Sequence, residues 1–327
     1  MKTKTLDIVV PVLDEADNLP LLLDRLEAAL CDLPQIEWSL TLVDDGSTDA
    51  SWEVIEGLAE KRPCVRGLRL SRNYGHQHAL LAGLEHSEAD AVVTMDADLQ
   101  HPPELIPSLI EEWENGAKIV NTQRKDPTEW STLKRWSSAL YYRVFSFLSG
   151  VAIRPGMADF RLLDRQVVDS IRQFREQTLF LRGLVQIVGF KEAVILYQGE
   201  VRHAGQTKYT LGRMLRFAGA GVFSFSLMPL RIATVIGVLT SLLAFAELIY
   251  VVYIRLFTDR SVVGWASGLA LISLMFGIQF ILLGIIGEYL GNVLVETRGR
   301  PRYLIMQTTV PSQPDVTAEP GTDTSDR

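Results

Sequence analysis

The chain has 327 residues, 47% of them hydrophobic and 22% charged, and a formal net charge of -7. That length allows one sizeable core and something more, while the modest acidic balance gives no electrostatic footprint for nucleic acid. Cys31 and Cys64 show no metal-type spacing and read as reduced thiols, which excludes a disulfide framework.

In chain order, Leu6 to Val12, Leu40 to Val43, Val65 to Leu70, Ala91 to Met95 and Ile119 to Thr122 read as strands. Helical periodicity lies between them: Leu19, Leu22, Leu23, Leu26 and Leu30 share one face, and Trp52, Ile55 and Leu58 another. Pro102-Pro103 suits the first turn of a further helix. This alternation predicts an α/β domain built on a mostly parallel sheet.

Three of the strands end in acid. Asp96-Ala97-Asp98-Leu99-Gln100 places two carboxylates and an amide oxygen behind the strand Ala91 to Met95. Hard oxygen donors of this kind favour Mg²⁺ or Mn²⁺, which complete their shells with water and substrate phosphates; an ordinary solvated turn would carry the same residues. Leu13-Asp14-Glu15 and Asp44-Asp45-Gly46-Ser47 follow the first two strands. In a parallel sheet all three turns open on one edge, offering acceptors for a nucleobase and ribose beside the metal acids. A dinucleotide fold would need Gly-x-Gly-x-x-Gly after the first strand, where this chain has Pro11-Val12-Leu13-Asp14-Glu15. His76 and His78 follow the Arg72-Asn73 turn without a Cys or His cluster, so no zinc site is expected.

The second half changes character. From Tyr209 to Ser226, Leu211, Met214, Leu215, Ala218, Val222 and Phe225 keep helical spacing, as in a helix lying in a membrane interface or an amphipathic core helix. Two segments, about 232–253 and 265–286, reach the length of about 20 residues that crosses a bilayer. Lys208, Arg213, Arg216 and Arg231 precede this hairpin and Arg298, Arg300 and Arg302 follow it, against Arg255 and Arg260 between the spans. That bias predicts both ends on the cytoplasmic side of an inner or plasma membrane. The polar start, and an early apolar run interrupted by Pro11, agree in showing no signal peptide. Glu247, an acid within the first span, is expected at a helix contact in a homo-oligomer. The composition beyond Gln307 predicts a disordered tail.

Together Pro11 to Glu15, Asp44-Asp45-Gly46-Ser47, Arg72-Asn73, Asp96 to Gln100 and Asp159-Phe160-Arg161-Leu162 resemble the inverting family 2 glycosyltransferases with a GT-A fold. The resemblance is nearest to the polyprenyl-phosphate branch, with its dolichol-phosphate mannose synthases and undecaprenyl-phosphate glucosyltransferases. It extends through Phe223-Ser224-Phe225-Ser226 and the hairpin to Arg300-Pro301-Arg302-Tyr303. One departure is Leu13-Asp14-Glu15 where the family often has Tyr-Asn-Glu, which removes an aromatic contact with the base.

The resemblance implies a GT-A domain over 1–208, an interfacial helix over 209–228, a transmembrane hairpin over 229–290, a juxtamembrane segment over 291–307 and the tail over 308–327. It implies that Asp98 and Gln100 bind Mg²⁺ or Mn²⁺, that Asp96 approaches the metal or the ribose, and that Pro11, Leu13, Glu15, Asp44 and Asp45 shape the nucleoside pocket. Asp159 would be the base or the sugar-positioning acid, and positioning is favoured, because a lipid phosphomonoester has a second pKa of about 6 and needs little deprotonation. Arg124, Arg202 and Lys208 match phosphate-binding positions, and Lys134 and Arg135 suit phosphate or headgroups.

The expected reaction is transfer of a sugar, glucose from UDP-glucose by preference, to polyprenyl phosphate. Other donors, namely GDP-mannose, UDP-N-acetylglucosamine or a UDP-aminoarabinose derivative, remain open, as does a non-catalytic membrane scaffold. A processive polysaccharide synthase would carry Gln-x-x-Arg-Trp and more spans, whereas Thr132 stands where that glutamine would be. Homo-oligomers, tetramers among them, are a further family expectation.

Overall fold

The computed structural model describes residues 3–124, 157–177, 181–197, 227–257 and 264–309. The first half alternates β1 (Lys4–Val12), α1 (Asn18–Leu30), β2 (Ile36–Asp44), α2 (Ser51–Lys61), β3 (Val65–Leu70), α3 (His76–His86), β4 (Ala91–Thr94), α4 (Ile106–Glu114) and β5 (Ile119–Arg124). Then come β6 (Met157–Asp164), α5 (Arg165–Arg172), α6 (Leu181–Ile187), β7 (Glu192–Tyr197), α7 (Met228–Phe257), α8 (Trp265–Thr297) and β8 (Ile305–Thr308).

Strand alternation divides the core between two helical layers. From β1, Leu6, Ile8, Val10 and Val12 pack with Leu19, Leu22 and Leu26 of α1, while Val9 joins Leu80, Leu81 and Leu84 of α3 on the opposite face. Both faces are covered, which is why the central strands read as nearly continuous apolar runs. Each such leucine contributes about 1.5–3 kcal/mol on burial. Asp7 is fully buried in β1, and Ser39, Thr41 and Arg66 satisfy its carboxylate.

The sheet runs β7-β5-β6-β4-β1-β2-β3-β8. Parallel pairing joins β1 to β2 and β4, β2 to β3, and β5 to β7. Sequence reasoning missed β6, which runs antiparallel to both β4 and β5. Its direction decides the site: the first residues of β6 lie at the edge where β1, β2, β4 and β5 end. Asp159 is therefore a strand residue beside the acidic turns.

The helices α7 and α8 each contain a 27-residue apolar stretch, Met228–Ile254 and Leu271–Thr297, in which Ala233 alone is buried. At 1.5 Å per residue each stretch is about 40 Å long, more than the hydrocarbon thickness of about 30 Å. Leu239, Leu242, Phe245, Phe276 and Phe280 are among the exposed side chains, and a surface of that kind calls for lipid or a partner. Both helices outrun the expected 232–253 and 265–286 because a helix need not stop where apolar composition does.

After α8 the chain returns to the α/β domain. Gly299 turns it with φ +57, Arg302 pairs with Glu85 and donates to the Phe174 carbonyl, and Tyr303 donates to Glu85. The strand β8 then pairs antiparallel with β3, and Gly67 N–H donates to Thr309 Oγ1 at 2.8 Å. The expected juxtamembrane segment is thus the end of a helix followed by a sheet edge. The expected interfacial helix, apart from its last residues, and the tail beyond residue 309 lie outside the described residues.

Candidate active site at the carboxyl edge of the sheet

Two loops at the ends of β1 and β2 interlock. The Asp44 carboxylate accepts from Ser47 N–H at 2.9 Å, a turn that aspartate side chains favour, and its other oxygen lies 3.3 Å from Arg69 Nε. Asp45 accepts from Tyr74 N–H at 2.7 Å and Gly75 N–H at 2.9 Å, fastening the Arg72-Asn73 turn to β2. Burial raises the Asp45 pKa against those two hydrogen bonds. Gly46 (φ +73) lies so near this turn that a Cβ would come within 2.6 Å of the Arg72 carbonyl carbon. Asp14, also left-handed at φ 55, accepts from Thr48 N–H at 2.7 Å. The aspartates expected to line a nucleoside pocket tie together the loops at this edge, where Pro11 is buried, Glu15 half-buried and Leu13 exposed.

The turn Asp96 to Gln100 follows β4. Leu99 holds a left-handed conformation at φ 60 with its side chain 2% exposed, so burial maintains a backbone that a leucine rarely adopts. This fixes the two flanking groups: Gln100 Nε2 donates to Asp98 Oδ2 at 2.9 Å and Gln100 N–H to Asp98 Oδ1 at 3.1 Å. Beneath them His101 stacks on Phe160 at 5.3 Å, and its Nδ1 accepts from Asp96 N–H at 3.1 Å. That hydrogen bond selects the tautomer protonated at Nε2.

His76, from the start of α3, brings Nε2 to 2.8 Å from Asp96 Oδ1. Burial disfavours charge on both, yet their mutual hydrogen bond outweighs it, lowering the Asp96 pKa and raising that of His76. Among the described residues no three His, Cys, Asp or Glu side chains converge as a metal site. The donors present in the turn are nonetheless hard oxygens, two carboxylates and an amide, which fits Mg²⁺ or Mn²⁺ sharing its shell with water and phosphate.

Asp159 sits in the neighbouring strand, 7% exposed. Arg182 clamps it from α6 with Nε to Oδ1 at 2.8 Å and Nη2 to Oδ2 at 2.9 Å. Arg161 Nη2 approaches Oδ1 at 3.2 Å, and Gln77 Nε2 lies 3.5 Å from Oδ2. Burial alone would raise this carboxyl's pKa, but the two guanidiniums reverse that and hold it far below the usual carboxylate range. An acid held so low is a poor proton acceptor and a good orienting group.

The structure thus brings Asp44, Asp45, Glu15, Asp96, Asp98, Gln100 and Asp159 to one edge. Arg124 stands at the exposed end of β5, in register with Tyr197 of β7, while Lys134, Arg135, Arg202 and Lys208 lie outside the described residues. Sequence reasoning passed over His76, Gln77, Arg161 and Arg182. Strand alternation could have placed Arg161 beside Asp159; for Arg182 no local signal existed.

Residues 7–172 match the family model described as Glycosyl transferase family 2. An uncharacterized glycosyltransferase of Bacillus subtilis (strain 168), YkcC, is 38% identical over 304 residues, covering 92% of this chain and 93% of its own length. The chain belongs to glycosyltransferase family 2. Another relative of this family 2 glycosyltransferase is a prophage bactoprenol glucosyl transferase homolog of Escherichia coli (strain K12). It is 36% identical over 300 residues, or 92% of this chain and 98% of the relative. Among solved structures, glucosyl-3-phosphoglycerate synthase from Mycobacterium tuberculosis in complex with Mn²⁺, UDP-glucose and phosphoglyceric acid aligns with a TM-score of 0.47 and 20% identity. That alignment covers 68% of this chain and 79% of the synthase. The protein is a glycosyltransferase with a mixed, mostly parallel sheet. The family match ends with α5, before Arg182 and the apolar hairpin.

Proposed function

We propose that this family 2 glycosyltransferase moves glucose from UDP-glucose to a polyprenyl phosphate at the cytoplasmic face of a membrane, with inversion at the anomeric carbon. The observation that carries the reading is the Asp159 cluster: an acid held ionised by two arginines suits a reaction whose acceptor arrives already charged and needs no strong base. The relative named for bactoprenol glucosyl transfer supports the lipid and the sugar, and the unburied apolar helices α7 and α8 support the membrane.

In this reading Pro11, Leu13, Glu15, Asp44 and Asp45 surround the nucleoside, and Asp96, Asp98 and Gln100 hold Mg²⁺ or Mn²⁺. The ion would neutralise charge on the diphosphate leaving group. Leu99 keeps the metal turn in place, and Asp159 orients the reacting groups. Arg124, Lys134, Arg135, Arg202 and Lys208 supply cations for the donor diphosphate and the acceptor. The domain limits follow the same scheme, a catalytic unit to residue 208, an interfacial helix to 228 and a hairpin to 290, with Glu247 at a contact between copies.

The test incubates membranes containing the protein with labelled UDP-glucose, undecaprenyl phosphate and Mg²⁺ or Mn²⁺ and looks for an acid-labile lipid product. Asp98→Ala should abolish it. Product from GDP-mannose or another nucleotide sugar alone would reassign the donor, and undiminished product with Asp98→Ala under chelation would refute the metal site. No product from any sugar nucleotide would favour a scaffold.

A further inference from the structure

We propose that His76 is a positioning residue for the metal ion of the donor, acting through Asp96. This rests on the proposed binding of Mg²⁺ or Mn²⁺ by the Asp96 turn and adds to it a residue from another element. The hydrogen bonds of Asp96 carry the argument. Its Oδ1 is held by His76 Nε2 at 2.8 Å. His101 does not do the same for Oδ2, because its Nδ1 stands 3.7 Å away and already accepts from Asp96 N–H. His76 therefore fixes the plane of the carboxylate while Oδ2 keeps its lone pairs for a cation. Acids that ligate metals are commonly held by an outer hydrogen bond of this kind, which orders the ligand before the ion arrives. Within the turn, Gln100 supports Asp98 through two hydrogen bonds. The side chain of Asp96 has its support from α3 instead.

The fold gives His76 the rigidity that this role needs. Its helix lies directly on β1, where a Cβ at Gly83 would come within 2.2 Å of Val9 Cγ1, and Leu80, Leu81 and Leu84 share a core with Val9. Just before the helix, Tyr74 N–H and Gly75 N–H both donate to the Asp45 carboxylate. On the other side Gln77 Oε1 accepts from Leu181 N–H at 3.1 Å. His76 is thus anchored to the loop after β2 and to α6, and from there its ring reaches the turn after β4. Since β2 and β4 flank β1 in the sheet, this brace sets the Asp96 carboxylate relative to the Asp45 loop. On the proposed reading those are the two places that must hold a nucleotide and its ion at one spacing.

The experiment uses the full chain in nanodiscs and compares wild type with His76→Ala, His76→Gln, Asp96→Ala and the double variant His76→Ala/Asp96→Ala. Calorimetry reads Mn²⁺ affinity at saturating UDP and, separately, UDP affinity under chelation; a transfer assay reads the Mn²⁺ concentration that gives half the maximal rate. His76→Ala should weaken Mn²⁺ binding by roughly 10-fold, the lower end for losing a supporting hydrogen bond of this kind. It should leave metal-free UDP affinity unchanged, which also shows that the protein is folded, and should regain rate as Mn²⁺ is raised. His76→Gln, whose amide can donate in place of the ring, should recover most of the loss. With Asp96→Ala already in place, removing His76 should cost nothing more. Wild-type Mn²⁺ affinity in His76→Ala, an equal loss of metal-free UDP binding, or a further loss on top of Asp96→Ala would each overturn the proposal. A His76→Gln protein as weak as His76→Ala would make the ring nitrogen a ligand in its own right and overturn the positioning role. Wild-type protein that binds neither Mn²⁺ nor Mg²⁺ would overturn the metal site itself, and this inference with it.

Discussion

Gly46→Ala isolates the contact that joins the loop after β2 to the Arg72-Asn73 turn after β3. Its φ of +73 costs an alanine about 1–2 kcal/mol. In addition, the new methyl would stand 2.6 Å from the Arg72 carbonyl carbon and 2.7 Å from Asn73 N, backbone atoms that cannot rotate away. Forced repacking of that kind adds about 1–3 kcal/mol, for a total near 3 kcal/mol. Gly116→Ala is the control: φ is +92, but the nearest atom, Lys191 Nζ, is 3.7 Å away, so only the cost of about 1–2 kcal/mol remains. For a domain of about 200 residues each kcal/mol lowers Tm by roughly 2–4 °C. Thermal unfolding should therefore show a drop near 10 °C for Gly46→Ala and under about 6 °C for Gly116→Ala. Nucleotide affinity should fall in the first variant alone, since the Asp45 anchor on Tyr74 and Gly75 must shift. Equal melting shifts, or a Gly46→Ala protein with intact nucleotide binding, would refute the reasoning.

Further outcomes follow from the same contacts. A carboxyl whose folded pKa lies below its unfolded value contributes stability above the unfolded value and loses it as pH falls through the folded one. The stability difference between wild type and Asp159→Asn should thus shrink as pH falls below the ordinary value of 3.8, as read by denaturant titration. Asp14→Asn preserves both the oxygen that Thr48 N–H bonds and the tolerance of positive φ, so it should be near neutral, whereas Asp14→Ala should cost about 1–2 kcal/mol in the same measurement. Arg302→Ala leaves Glu85 short of its cation in a pair only 15% and 20% exposed, and should cost about 2–3 kcal/mol while speeding limited proteolysis near β8. Leu99→Ala retains the backbone strain but loses burial, at about 2–4 kcal/mol, and should weaken Mn²⁺ binding measured by calorimetry.

Much of the architecture was legible because its signals are local. The apolar run Ala91 to Met95 and the spacing of Leu19, Leu22, Leu23, Leu26 and Leu30 each identify an element within a dozen residues. The acidic turns were legible for the same reason, since strand ends of a parallel sheet must share an edge. What escaped depends on chain reversal or distance. The strand that carries Asp159 escaped because nothing nearby announces that β6 runs antiparallel, and the partner Arg182 lies 23 positions away on a short helix. His76 was set aside for want of another zinc ligand, although its partner is the carboxylate of Asp96. The strand β8 hid behind two apolar helices, because its partner β3 lies more than 230 residues earlier.

That last pairing constrains how the protein is made. The other seven strands of the sheet leave the ribosome before the apolar hairpin, and the eighth leaves after it. If α7 and α8 cross a bilayer, β8 can reach β3 only when the chain has crossed and come back, so a single crossing would strand it on the wrong side. Until then the β3 edge presents unpaired backbone groups, the kind of surface that invites mispairing. Completion of the sheet is thus a readout of correct insertion, and a molecule with a misthreaded hairpin would carry an open edge by which it could be recognised and removed.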